Sequence, residues 1–219
     1  MANMIKMTTQ KGLTLTELLV ASFLMGIVMV GIAGFSVTIK RMQDTTDKQA
    51  ILAIQTIAAM THMERNISRT IGGQSDQGYA SGNAGTPNRA YWSFRQDPSN
   101  TPYNTSDDTW RIYFRRTTGG APTFELRTCV QPAGAGAAQG PIPSFLGSDP
   151  CGQPNIQRVI NKIQSFSIVQ TVNNSPSTLD FYYTATITAR FNPSAAAEPI
   201  DNPDYTLSTR VHAPGHSWN

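Results

Sequence analysis

The side chain of greatest chemical interest near the N-terminus is Glu17, because it is a carboxylate at the start of an apolar run. Between Leu18 and Ile39 the only polar side chains are Ser22, Ser36 and Thr38. A charged residue at the centre of a membrane helix costs about 2.5–3.5 kcal/mol on insertion scales, and one near the end costs less. Glu17 therefore calls for a cation. Lys11 is one candidate, and the amine created by a cut between Gly12 and Leu13 is the other.

The second candidate rests on a pattern of three features: a glycine, an apolar run directly after it, and a glutamate five residues on. Gly12 and Glu17 in this arrangement resemble the prepilin cleavage and methylation signal of type IV pilins and type II secretion pseudopilins. The resemblance implies that a prepilin peptidase cuts after Gly12 and methylates the new amine of Leu13, which makes Glu17 the fifth mature residue. Leu13 departs from the family's usual aromatic first residue, and Thr16 stands where a large apolar residue is commoner.

The apolar run by itself predicts a membrane-spanning helix. From Leu18 to Ile39 it covers about 22 residues, and a helix needs about 20 to cross a bilayer core. Backbone groups in lipid must bond one another, so the segment is expected to be helical despite its three glycines. A secretory signal peptide has a shorter apolar core, about 7–15 residues long. A plain single-span anchor is the alternative, and it leaves Gly12 and Glu17 unexplained.

The two cysteines, Cys129 and Cys151, both follow the predicted span. If the leader is cytoplasmic, they lie outside the cytoplasm, where disulfides persist. We predict a disulfide between them, and its closed loop would stabilise the fold by about 3 kcal/mol. Two cysteines without a histidine cluster are a poor metal site.

Composition limits the size of the folded part. The chain has 219 residues and is 39% hydrophobic, so removal of the leader and span leaves one modest domain. Without Lys6 and Lys11, the formal net charge of +3 falls to +1. Much of the positive charge therefore lies in the leader, where lysines mark the cytoplasmic side of a membrane span. It is weak support for nucleic-acid binding.

The predicted organisation has three parts. Residues 1–12 form a leader that is cleaved, residues 13–72 a long helix, and residues 73–219 a β-rich extracytoplasmic domain. Within the helix, residues 13–39 are predicted to span the membrane and residues 40–72 to be amphipathic. The fold class is α+β, with the helix packed on a mostly antiparallel sheet of about six strands. One helix stripe is predicted to cover the sheet: Ala53, Ile57, Met60, Met63, Ile67 and Ile71.

No recognisable catalytic or phosphate-binding motif occurs in the sequence, so we predict neither an enzyme nor a cofactor or metal site. Three weaker patterns each have a functional interpretation and a purely structural alternative. Asp201, Asn202 and Asp204 offer oxygen ligands for Ca²⁺ or form a polar turn. His212 and His216 are separated by Pro214 and Gly215, which disfavours a shared metal. A basic aromatic group fits single-stranded DNA or solvated strand faces: Arg111, Arg115, Arg116 and Arg127 with Trp92 and Tyr113.

The pattern as a whole predicts a minor pilin or pseudopilin that helps to initiate or cap a type IV pilus or type II secretion pseudopilus. The segment Ala59–Ile67 resembles the helix end of minor pseudopilin J and minor pilin W. The implied partners are other pilins through the N-terminal helix, prepilin peptidase, an inner-membrane assembly platform, and membrane lipid before assembly. The implied location is the inner membrane, crossed once, and then the filament. The alternative is a monomeric membrane-anchored binding domain, for example a receptor for DNA uptake or for a surface.

Overall fold

The computed structural model describes residues 12–71, 78–84, 89–100, 107–118, 121–132, 151, 156–175 and 178–213. The chain divides into two compact units, residues 1–44 and residues 45–219. One helix, α1 (Leu15–Ile67, 53 residues), runs through the boundary between the two units. The predictions for the first 11 residues, including Lys6 and Lys11, concern residues outside the part of the chain that the structure describes.

The second unit contains α1 from Thr45 onward and, among the described residues, eight strands. They are β1 (Tyr79–Ala84), β2 (Arg89–Gln96), β3 (Thr109–Thr118), β4 (Ala121–Pro132), β5 (Gln157–Ile160), β6 (Ile163–Ser175), β7 (Thr178–Arg190) and β8 (Asp204–Ala213). One sheet has the order β1-β2-β3-β4-β5 and the other β6-β7-β8, with every pair antiparallel. The predicted α+β class, a long N-terminal helix followed by antiparallel strands, is confirmed.

The predicted number of strands was too low for two reasons. Tyr79–Ala84 lies in a stretch rich in small and polar residues, which is typical of a loop, yet it pairs with β2. The stretch from residue 158 to residue 172 favours a strand or a turn leading into one. It is broken between β5 and β6 at Lys162, whose φ of 62° turns the backbone.

The main core lies between α1 and the two sheets, but the buried helix face differs from the predicted stripe. Ile57 is 50% exposed and Ala53 only half-buried, whereas Leu52 and Thr56 are fully buried. The buried face repeats close to every 3.6 residues. The predicted stripe differs from it because only apolar residues were included, which excluded Thr56. The buried helix residues are Leu52, Thr56, Ala59, Met60, Met63, Asn66 and Ile67.

The helix ends at Ile67 rather than at residue 72, because hydrogen bonds at its last turn satisfy the terminal carbonyls there. The Asn66 side chain donates to the carbonyl of His62 at 2.6 Å, and the Thr70 amide donates to the Ile67 carbonyl at 2.9 Å. Thr70 then pairs with Gln96 as an isolated antiparallel bridge. The chain has therefore left the helix before residue 72, the predicted end of the helix.

The five-stranded sheet has a second, smaller core on its other face. The alternation in β3 predicts that Trp110, Ile112 and Phe114 face one way, and all three are buried there with Tyr91 and Cys129. Cys151 and Ile156 pack against this group. Tyr113, on the opposite face of β3, is fully buried in the main core. Both faces of β3 are therefore covered, which explains its nearly continuous run of large side chains.

Candidate functional site

Three of the predicted site residues, Gly12, Leu13 and Glu17, lie at or just before the N-terminal end of α1. Gly12, Leu13 and Thr14 precede the helix and are exposed, with Leu13 76% accessible. The Thr14 amide and hydroxyl both donate to Oε2 of Glu17, each at 2.9 Å. In return the Glu17 amide donates to Oγ1 of Thr14 at 3.3 Å. Thr14 is therefore the N-cap of α1.

This reciprocal arrangement is a capping box, in which a threonine and a glutamate three residues later satisfy each other's backbone amides. Glu17 also lies in the first turn, where the helix dipole favours a negative charge. From the sequence, only a cation was considered as the partner of Glu17, and Thr14 was not identified. The Thr-x-x-Glu spacing is nevertheless the signature of a capping box. Both Thr14 donors contact Oε2, and within the described residues no donor contacts Oε1.

Loss of the cap has a measurable consequence for the helix start. Thr14→Val keeps the branched shape and removes the hydroxyl, so we expect the first turn to lose about 1 kcal/mol of stability. Hydrogen exchange of the amides of Thr16 and Glu17, measured on the full chain in detergent micelles, should speed up about fivefold. Thr14→Ser keeps the hydroxyl and serves as the control. Equal exchange in both variants would contradict the capping role.

The first unit exposes apolar side chains around its whole helical circumference. Large residues from Leu13 to Met42 are 38–82% accessible, and this is the one described helix long and apolar enough to cross a membrane. The hydroxyls in the run bond the helix's own backbone: Ser22 donates to the Leu19 carbonyl at 2.9 Å, and Thr38 to the Gly34 carbonyl at 3.0 Å. Such internal bonding is what hydrocarbon demands of polar groups.

The comparisons with known proteins bear on this same segment. The family model described as "Prokaryotic N-terminal methylation motif" matches residues 7–33. No curated protein and no solved structure gives a significant match to the chain. The matched segment holds Gly12, Leu13, Thr14 and Glu17, and it is a type IV pilin-like signal. The motif and the apolar helix indicate membrane anchoring, and the motif belongs to structural rather than enzymatic proteins. It implies contact with other pilins and with prepilin peptidase in general.

The predicted disulfide is present and lies in the second core. Cys129 and Cys151 are joined with a Cα–Cα distance of 6.1 Å and a sequence separation of 22. Cys129 is 1% exposed on β4, next to Ile112 across the sheet. The bond therefore fixes Cys151 against the buried group of Tyr91, Trp110 and Phe114.

The candidate surface for single-stranded DNA is not assembled. Trp92 and Tyr113 face the main core, and the Trp92 indole donates to the Ile168 carbonyl at 3.1 Å. Arg127 is bound to Glu125 at 2.8 Å, and Arg111 donates to Gln96 at 3.3 Å. The side chain of Arg116 lies outside the described residues. Aromatic rings that are buried cannot stack on bases, so this grouping does not form a stacking platform.

The candidate calcium ligands are engaged with protein groups. The Asp201 carbonyl accepts from Lys48 at 3.0 Å, and Asp204 binds Arg190 at 2.6 Å. The Asn202 side chain holds the turn by donating to the carbonyls of Asn192 and Ala196, both at 2.9 Å. The geometry fits the alternative, a polar turn. His216 lies outside the described residues, and the His212 ring lies 5.1 Å from that of Tyr182.

Another acidic group, not singled out from the sequence, lies at the start of β3. Ligand oxygens of Asp97, Asp107 and Asp108 lie within 4.8 Å of one another. Asp108 is 2% exposed and accepts from Nε of Arg95 at 2.6 Å. Burial raises the pKa of Asp108, and the bond to Arg95 opposes that rise. Because Asp108 neutralises a buried guanidinium, its role is structural.

His62 connects the end of α1 to β3 and is expected to make stability depend on pH. Its Nδ1 lies 3.4 Å from the Tyr113 hydroxyl. Burial lowers the pKa of His62 below its ordinary value of 6.5, and the charges of Arg111 and Arg65 lower it further. The unfolded chain therefore binds this proton more readily than the folded chain, so stability is lost as the pH falls below about 6.5.

We expect the free energy of unfolding of the full chain to decrease between pH 7 and pH 5, and His62→Gln to reduce this decrease. Urea titrations at the two pH values measure the effect. His212→Gln, at an exposed position on β8, is the matched control and should retain the wild-type pH dependence. An unchanged pH dependence in His62→Gln would exclude this residue as the source.

Proposed function

We propose that this protein is a minor pilin or pseudopilin, a structural subunit that helps to initiate or cap a type IV pilus or type II secretion pseudopilus. The observation that carries the proposal is the match to the methylation motif over residues 7–33, a range that contains Gly12 and Glu17. The exposed apolar helix after Leu13 supports it, since such a surface must be covered by lipid or by other subunits. No catalytic step is assigned to the protein itself.

The first event in this proposal is processing by prepilin peptidase. Water cleaves the Gly12–Leu13 peptide bond, which leaves a carboxylate on Gly12 and a free amine on Leu13. A methyl donor then methylates that amine. Both residues are exposed and lie before the helix begins, which suits cleavage, because a peptidase needs an extended and accessible bond.

The second event is assembly, and Glu17 is the residue on which it depends. In the single subunit Thr14 holds Oε2 of Glu17, and no donor among the described residues contacts Oε1, which can therefore accept from a further donor. The positively charged amine of Leu13 in an adjacent subunit is the partner we assign to it. Opposite charges attract strongly where water is excluded. The pairing would therefore favour one axial register as each subunit leaves the bilayer.

The amphipathic part of α1 supplies a further contact surface in this proposal. Ile51, Ile54 and Ile57 are 43%, 68% and 50% exposed, although they lie on the helix that also covers the main core. These side chains are suited to packing against helices of neighbouring subunits. The chain would be anchored once in the inner membrane with its β-rich domain in the periplasm, where the Cys129–Cys151 disulfide is stable.

A likeness to minor pseudopilin J and minor pilin W is a finer part of the proposal. Ala59–Ile67 and the later strands resemble minor pseudopilin J and minor pilin W. In this chain Asn66, where the resemblance has an aspartate, closes the helix through the carbonyl of His62. Incorporation at the filament tip, tested by immunogold labelling of sheared filaments, would support this assignment. Labelling along the whole shaft would contradict it.

Mass spectrometry of the N-terminus tests the proposal directly. We expect the chain purified from membranes to begin with N-methylated Leu13. In cells without prepilin peptidase it should retain Met1 and the following 11 residues. A chain that keeps its leader in peptidase-containing cells would favour the alternative, a monomeric membrane-anchored binding domain.

A further inference from the structure

The loop between β7 and β8 contacts α1 outside the main core. Residues 191–203 form this loop, which we call the strap. The Thr45 hydroxyl donates to the carbonyl of Ile200 at 2.8 Å, and the Lys48 ammonium donates to the carbonyl of Asp201 at 3.0 Å. These contacts join positions that are 155 and 153 residues apart in the chain. The strap therefore connects the start and the end of the second unit.

The strap contacts the helix ahead of the part that packs in the main core. The first buried residue of α1 is Leu52, and the buried face continues from there to Ile67. Between residues 45 and 51 every side chain is exposed or half-buried. The two half-buried residues of this stretch are Thr45 and Lys48, which are the two that donate to the strap. The strap therefore holds a stretch of α1 that the main core does not reach.

Phe191, the first residue of the strap, joins the same contact to the main core. Its ring packs against the core and lies close to two lysines. Nζ of Lys162 is 3.7 Å from the ring centroid of Phe191, and Nζ of Lys48 is 5.6 Å from it. A cation within about 6 Å of an aromatic centroid is attracted to the face of the ring. Lys48 therefore contacts the strap at two places, through this ring and through the Asp201 carbonyl.

The strap keeps its own shape through the side chain of Asn202, which is 6% exposed. The side-chain oxygen accepts from the Asn192 amide at 2.7 Å, and the side-chain nitrogen donates to the carbonyls of Asn192 and Ala196, both at 2.9 Å. The backbones of Glu198 and Asn202 also exchange two hydrogen bonds, at 3.1 and 3.0 Å. These internal bonds fix the positions of the two carbonyls that the helix contacts.

The boundary between the two compact units coincides with the strap. The first unit ends at Asp44, and Thr45, the first residue of the second unit, is also the first residue that donates to the strap. Without the strap, the helix would first be held by the second unit at Leu52, where its burial begins. Each helical residue adds 1.5 Å, so this difference is about 10 Å of helix.

We propose that the strap is a clamp that determines where α1 leaves the second unit. With the clamp in place the helix is held from Thr45 onward, and in its absence the helix is held only from Leu52 onward. Thr45 and Lys48 are the contact residues, and Asn202 is a positioning residue because its side chain bonds the strap itself. The clamp sets how much of α1 is left to lipid or to neighbouring helices. The inference goes beyond the proposed function, since it applies equally to a plain membrane anchor.

Hydrogen exchange of the full chain in detergent micelles tests the role of Asn202. Asn202→Ala removes the three side-chain hydrogen bonds that fix the strap. We expect the amides of residues 46–51 to exchange about fivefold faster, because a helix segment with fewer tertiary contacts opens more readily. The amides of residues 56–63, on the buried part of α1, should be unchanged. Ser194→Ala, which removes an exposed hydroxyl that donates to Asn192, is the matched control. Unchanged exchange at residues 46–51 would overturn the role of Asn202.

A second pair of variants acts from the helix side and leaves the strap intact. Lys48→Met keeps an unbranched side chain of similar helix propensity but removes the ammonium that donates to Asp201 and faces Phe191. Lys48→Arg keeps a positive donor and is the control. We expect exchange at residues 46–51 to be about threefold faster in Lys48→Met than in Lys48→Arg, since a contact that holds this segment is lost. Equal exchange in the two variants, or an equal rise at residues 56–63, would overturn the clamp.

Discussion

Glu17→Ala is expected to leave the protein in the membrane and to reduce its incorporation into filaments at least tenfold. The apolar helix is unchanged by the substitution, so insertion should be normal. The loss arises because the neighbouring amine has no carboxylate with which to pair in a water-poor environment. The measurement is the ratio of this subunit in sheared filaments to that in membranes. Normal incorporation of Glu17→Ala would contradict the proposed mechanism.

Two further variants separate the charge of Glu17 from its role as a cap. Glu17→Gln keeps a side-chain oxygen that can accept from Thr14 but has no charge. Thr14→Val keeps the charge but loses the hydroxyl that donates to Oε2 at 2.9 Å. If assembly depends on charge, Glu17→Gln should resemble Glu17→Ala, and Thr14→Val should assemble. If instead Glu17→Gln assembles and Thr14→Val does not, assembly requires the local geometry of the helix start rather than the charge.

Loss of the disulfide is expected to destabilise the second unit by about 3 kcal/mol, from the closed loop between the two cysteines. The free energy of unfolding of the full chain in detergent can be followed in urea by tryptophan fluorescence, to which Trp110 in the second core contributes. Cys151→Ser and chemical reduction of the wild type should lower the midpoint by similar amounts. The slope of the transition reports whether the unfolded chain has also changed.

The two cysteines are not expected to be equivalent in this experiment. Cys129 is 1% exposed among apolar side chains, whereas Cys151 is half-buried. A serine hydroxyl at position 129 would be buried and desolvated, so Cys129→Ser should cost about 1–3 kcal/mol more than Cys151→Ser. Cys129→Ala removes the thiol without adding a polar group and is the matched control. Equal costs for the two serine variants would indicate that residue 151 is as deeply packed as residue 129.

The second core explains why the disulfide matters for the fold. Without a cover, the face of β3 that carries Trp110, Ile112 and Phe114 would place large apolar groups in water. The bond fixes Cys151 against that face, where Ile156 also packs. The long segment between the cysteines is rich in glycine, alanine and proline. The covalent connection of its ends to a buried surface was not evident from that composition.

The sequence by itself determined the features that depend on local pattern. Unbroken apolar character identified the membrane segment, the spacing of Gly12 and Glu17 identified the signal, and alternation in β3 separated Trp110, Ile112 and Phe114 from their neighbours. These patterns work because the side-chain period of a helix or strand is a local property of the backbone. The same reasoning could have found the cap at Thr14, since a capping box needs only four residues.

Only the tertiary structure decided which of these faces are covered and by what. Thr56 is buried and Ile57 exposed, although their hydrophobicities suggest the reverse. Tyr79 pairs with Phe94 on β2, and its hydroxyl donates to the carbonyl of Ile168, 89 residues further along the chain. Contacts between segments far apart in the chain produce no periodic pattern in the sequence. The packing of the helix and the sheets is therefore known only from the structure.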